Sequence, residues 1–114
     1  MATTYIDTDQ CARIKLPGIQ GLVAEIVNRT LCGAEKVVGM LHWLVEKERF
    51  ETEILRDRHQ LIYLMEGEGV ITLEQKSYPV SKGAGIYLGP SETVSISHAG
   101  AATLKLFHLV VKNN

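Results

Sequence analysis

Apolar and polar residues alternate along most of the chain in short stretches, and clusters of Gly, Pro and polar residues separate them. Alternation with a period of two marks a strand with one buried face. "ARIKL" ends at Pro17-Gly18, and "GLVAEIVNRTL" stops near "CGAE". "KVVGMLHWLV" is apolar on both faces, as expected of a central buried strand. "RFETEILR" places Phe50, Thr52 and Ile54 on one side and Glu51, Glu53 and Leu55 on the other. "QLIYLM" runs into "EGEG", and "GVITLEQ" and "YPV" flank a hairpin predicted around Gln75–Ser77. "AGIYLGP", "TVSISHAG" and "TLKLFHLVVK" complete the series. These signals predict about eight or nine strands. A helix fits only "VEKERFETEIL", where Phe50 and Ile54 would share a face that Val45 does not extend, so a strand fits better. Many short strands with regular turns predict an all-β sandwich or small barrel.

The chain has 114 residues, enough for one domain with one core and one enclosed ligand site. Residues 1–35 read as N-terminal strands and residues 36–112 as the barrel. A formal net charge of −1 gives no concentrated basic surface of the kind nucleic acid requires. Cys11 and Cys32 form no CxxC pair. Free thiols in a reducing compartment are expected of them, with a bridge left open. The N-terminal stretch lacks the basic and apolar regions of a signal peptide, and no apolar run approaches the ~18 residues of a membrane span. The cytoplasm is therefore the expected location, with no membrane partner, and the Asn28–Thr30 sequon is read as a chance match.

Potential chemistry concentrates in Arg56–Gly69, "RDRHQLIYLMEGEG". The strand and turn "LIYLMEGEG" resemble the end of the first cupin motif, G-x5-H-x-H-x3,4-E-x6-G. Gln60 stands at the glutamate position and Gly67 at the closing glycine. "GAGIYLGPSETVSISH" resembles the second motif, G-x5-P-x-G-x2-H-x3-N, less closely. Counted from Gly83, Gly89 takes the proline position, Ser91 the glycine, Val94 the histidine and His98 the asparagine. The resemblance covers Phe50–Val111 and implies a small single-domain cupin, a double-stranded β-helix of the jelly-roll type. It also implies homodimers, formed through N-terminal strands such as "ARIKL" or "LVAEIV" or through sheet faces.

The metal ligands of that family are missing from the matching positions. The paired histidines fall on Ile54 and Arg56, or on Glu53 and Leu55 with the longer spacing. The glutamate is Gln60 and the later histidine is Val94. Iron, manganese or zinc needs several converging imidazole or carboxylate donors, so no metal and no other cofactor is expected here.

Other residues become candidates for a pocket. On an unbroken strand Arg56, Arg58 and Gln60 share a face. Arg56 and Gln60 could then grip an anionic or carbonyl-bearing ligand, guanidinium being suited to carboxylate or phosphate. Alternatively, Arg56 and Arg58 pair with Glu51, Glu53 or Asp57 on the rim. His98 shares a face with Val94 and Ile96 and is the candidate acid/base, or else a rim histidine. His42 is a candidate for ligand binding or a hydrogen-bonded core histidine. Trp43 and Tyr87 could offer a ring and a phenol to the ligand, or simply pack. His59 and His108 have no evident partner in sequence, and His108 is a candidate for an interface. Gly67 and Gly69 are expected to serve backbone geometry.

No P-loop, dinucleotide fingerprint, GxSxG elbow or HExxH motif occurs. Three functions remain. The first is a metal-independent isomerase, cyclase or lyase acting on a small anionic metabolite, with His98 as acid/base. The second is a small-molecule-binding module without turnover. The third is a metal enzyme using His42, His59 and His98.

Overall fold

A computed structural model of the chain describes residues 5–17, 19–28 and 33–112. Among them nine strands form: β1 (Leu22–Val27), β2 (Val37–Leu44), β3 (Arg49–Glu51), β4 (Arg58–Glu66), β5 (Glu68–Leu73), β6 (Lys76–Ser81), β7 (Gly85–Leu88), β8 (Ser95–Ala99) and β9 (Leu104–Lys112). The one helical element is a 3-10 turn, Thr8–Gln10, which Asp7 caps by accepting from the Asp9 N–H. No helix among the described residues is long and apolar enough to cross a membrane.

The strands form two antiparallel sheets ordered β1-β2-β9-β4-β7 and β3-β8-β5-β6. The all-β sandwich expected from the strand pattern is therefore present as two facing sheets, as is the jelly roll that the resemblance implied. Their inner faces supply the core. Leu44, Ile62, Leu64, Leu104 and Leu106 come from the first sheet and Phe50, Ile71 and Ile96 from the second. β9 shows why alternation predicts this well. Leu104, Leu106, His108 and Val110 are buried while Lys105, Phe107, Leu109 and Val111 are less so.

Local chemistry explains where strands stop. "RFETEILR" stays in the ladder only to Glu51. At Thr52 the hydroxyl accepts from the Val94 N–H at 2.9 Å, so a side chain takes the place of a backbone carbonyl. "ARIKL" contributes a single bridge, Ile14 to Val23. The β5–β6 hairpin turns at Glu74-Gln75, since Leu73 pairs with Lys76. Both turn residues are left-handed, at φ 49° and 70°. Gly67, also left-handed at φ 86°, links β4 to β5. A Cβ there would lie 2.6 Å from the Thr103 carbonyl oxygen, so glycine is needed for both conformation and space.

Cys11 is a free thiol. Cys32 and most of the sequon lie outside the described residues.

The two ends of the sandwich differ. Leu44, Leu64 and Leu104 fill the end bounded by residues 45–48 and 100–103. The opposite end, called the mouth here, is bounded by residues 52–57 and 89–94. Those two segments are joined by the Ser91 N–H donating to Leu55 O at 3.0 Å, and by Thr52 N–H donating to Val94 O at 3.1 Å.

Candidate functional site

Three polar side chains are buried among the described residues: His42, Gln60 and His108, at 3%, 1% and 7% exposure. They lie on three adjacent strands, β2, β4 and β9. Register explains how they meet. His108 is opposite Met40 on one side and Ile62 on the other, so His42 and Gln60 are each two residues along from those partners. All three side chains therefore sit on the inner face along one diagonal.

The contacts are specific. His108 Nε2 lies 2.8 Å from Gln60 Oε1. A carboxamide oxygen only accepts, so His108 Nε2 carries the proton and Nδ1 presents its lone pair. The His42 and His108 rings are 5.7 Å apart. Phe50, from the facing sheet, lies 4.6 Å from His42 and 5.1 Å from His108, edge-on to the latter. His42 Nδ1 and Nε2, Gln60 Nε2 and His108 Nδ1 have no hydrogen-bond partner among the described residues and no contact with solvent.

Burial penalises the charged imidazole. It pushes His108 down to about 4 and His42 also to about 4, the latter helped by repulsion from His108. Both rings are neutral at physiological pH. A neutral imidazole can accept a proton through one nitrogen and donate through the other, which makes the cluster a candidate for proton transfer.

The structure places the residues singled out from sequence in different environments. Gln60 and His42 join the inner cluster. Arg56 does not share Gln60's face, because a turn at residues 56 and 57 interrupts the strand, and Arg56 is exposed. Arg58 pairs with Asp57 at 2.5 Å, and Arg49 with Glu51 at 2.9 Å, so rim pairing takes up these two cations. His98 does share the inner face with Val94 and Ile96. It stands at the end away from the mouth, where its Nε2 lies 2.7 Å from Ala102 O. Arg56, Gln60 and His98 therefore do not converge.

Trp43 and Tyr87 lie on the outer face of the five-stranded sheet, opposite in direction to their buried neighbours. Arg13 stacks 4.2 Å above the Trp43 ring and Lys105 lies 5.9 Å from it. Tyr87 is 62% exposed, and its hydroxyl is 2.6 Å from His59 Nδ1. Neither residue reaches the inner cluster. His59 is thus on the outer face, His42 inside and His98 at the far end, so the alternative metal set is dispersed.

The metal that the cupin resemblance would bring finds no fit among the described residues. Of the matching positions, Ile54 and Arg56 are exposed, Glu53 of the longer spacing is exposed and Leu55 half-buried, Val94 is packed in the core, and the Gln60 oxygen is occupied by His108. Among the described residues no three His, Cys, Asp or Glu side chains are grouped to hold an ion. His108, read from the sequence as a candidate for an interface, is instead buried at the centre of the cluster. Its signal was its phase with Leu104 and Leu106, which places it inside.

No family model and no curated protein matches the sequence. Solved structures resemble the fold closely at low identity. One, from Thermotoga maritima, is described as a predicted oxalate decarboxylase; the match has a TM-score of 0.81 and 14% identity and covers 96% of this chain and 99% of that one. The polyketide cyclase RemF of Streptomyces resistomycificus matches with a TM-score of 0.79 and 13% identity over 96% and 80% of the two chains. The Cnp3 cupin domain of Schizosaccharomyces pombe matches with a TM-score of 0.75 and 8% identity over 94% and 72%.

Proposed function

The chain has the cupin fold, and we propose that it binds a small polar molecule between its sheets and moves protons on it without a metal. The reaction is of the isomerase, cyclase or lyase type. One observation carries this: the buried polar residues form a single cluster in which four nitrogens have no partner. Each such group costs about 1–3 kcal/mol when buried unpaired. A bound ligand that pairs them recovers that cost, and this supports a ligand role for the cluster. His108, oriented by Gln60, acts as base through Nδ1; His42 supplies a second proton-exchanging group. The cyclase named among the structural neighbours fits a proton-transfer role.

The nitrogens have no solvent contact, so a ligand reaches them only when the surrounding elements open. Native mass spectrometry of the purified protein, followed by a metabolite screen with turnover detection, tests the proposal. His108→Gln retains shape and polarity but removes the base. It is expected to abolish turnover and preserve binding. Retention of full turnover would reject the base assignment, and binding without turnover in the unaltered protein would favour a non-catalytic binding module.

We propose in addition that the outer face of the five-stranded sheet pairs with a second copy of the chain. Leu61, Tyr63 and Tyr87 are 41%, 42% and 62% exposed there, beside Phe107, Leu109 and Val111. Strands of four to nine residues, about 3.3 Å per residue and about 4.8 Å apart, present roughly 570 Å², below the ~800 Å² per partner of a standard interface but within reach of a small one. Sedimentation equilibrium is expected to show a dimer that Leu61→Lys/Tyr63→Lys dissociates. A monomer in the unaltered protein would refute the pairing.

A further inference from the structure

Resting on the inner-cluster site just proposed, the geometry points to an uncharged ligand that carries a hydroxyl beside a carbonyl. The first support is an inventory of unmatched groups. Gln60 Nε2 offers two donors, since its own oxygen is taken by His108. Neutral His42 offers one donor and one acceptor, and His108 Nδ1 offers one acceptor. A ligand that satisfies them needs a strong acceptor, such as a carbonyl oxygen, within reach of a donor, such as a hydroxyl. A purely apolar molecule leaves every nitrogen unpaired. A molecule with acceptors alone leaves His108 Nδ1 and one His42 nitrogen without a donor.

The second support is the absence of compensating charge among the described inner-face residues. Around the cluster lie Leu44, Phe50, Ile62, Leu106 and Val110, and none of the buried residues is Asp, Glu, Lys or Arg. The nearest cation along the same strand, Arg58, is engaged by Asp57 at the rim. A carboxylate or phosphate brought inside would be desolvated without a fixed counter-charge, which is strongly unfavourable. It could be accommodated only by protonating His42 or His108, and burial opposes that in both. The anionic ligand expected from Arg56 and Gln60 loses its basis once Arg56 is found in an exposed turn.

The test is a matched probe panel observed through the imidazole nitrogens of ¹⁵N-histidine-labelled protein at pH 7.5. Hydroxyacetone and 2′-hydroxyacetophenone are the neutral probes, and glycolate and salicylate are their carboxylate counterparts. The neutral members are expected to shift the His42 and His108 resonances, and to bind roughly tenfold or more tightly than their anionic partners. Tighter binding of the carboxylates, with both imidazoles driven to the protonated form, would overturn the inference and leave the inner site standing. Failure of both classes to move these resonances would reject the inner site itself, and the ligand class with it.

Discussion

Acidification should unfold this protein through its interior before its carboxylates titrate. His42 and His108 sit near 4 in the folded chain and return to about 6.5 when it unfolds. The folded values are the lower ones, so the unfolded state takes up protons first as the pH falls. Stability is complete above about pH 6.5, declines as the pH drops, and levels off below about 4. Between pH 7 and pH 5 each imidazole withdraws about 2 kcal/mol, or about 4 kcal/mol for the pair. That is a large part of the ~5–15 kcal/mol that holds a typical domain together. For a chain of this length it corresponds to a melting temperature lower by about 15 °C. Urea denaturation at half-unit pH steps measures the effect directly. His42→Leu provides the control: the ring makes no hydrogen bond and lies against Phe50. The leucine variant should be about 1–2 kcal/mol more stable at pH 7, since two unpaired nitrogens disappear. Its pH dependence should be about half as steep. A change below about 1 kcal/mol in the unaltered protein over this range would show that the two imidazoles are not desolvated as the structure indicates.

Other expectations follow from the backbone and the outer face. Glu74→Asn/Gln75→Gly gives the two-residue β5–β6 turn the residues that left-handed positions favour, and should raise the urea midpoint by about 1 kcal/mol equivalent. Gly67→Ala places a methyl group against the Thr103 carbonyl at a positive φ, and should cost about 2–4 kcal/mol in the same assay. Arg13→Ala removes the guanidinium above Trp43, and should shift tryptophan emission and cost about 0.5–1 kcal/mol, without altering the probe response of His42.

The strand pattern made the fold legible because the inner face is apolar and the period-two signal is strong. The outcome at each candidate position depended on which kind of information it needed. Face was readable: His42 and Trp43 are adjacent, so they had to point to opposite sides, and Tyr87 between buried Ile86 and Leu88 had to point outward. Height along the strand was less readable. His98 is on the inner face as its phase implied, yet two residues beyond Ile96 it reaches the wrong end of the sandwich. Strand limits were hidden as well, since the turn at residues 56 and 57 detached Arg56 from Gln60. The His108–Gln60 contact spans 48 residues of sequence and depends on β9 lying beside β4, a pairing that no local pattern announces.

The contrast between the leucine-filled end and the polar mouth end has a consequence for reworking the molecule. Leu44, Leu64 and Leu104 anchor the sheets far from the mouth, so residues 53–57 and 89–93 can be exchanged or lengthened provided that Val94, a core residue, and its hydrogen bonds to Thr52 are kept. Chemistry can be rewritten at the mouth, with three buried inner positions, His42, Gln60 and His108, as the adjustable set. The scaffold behaves as a fixed cup with a replaceable lip, and new specificities are to be sought by varying the lip and leaving the base alone.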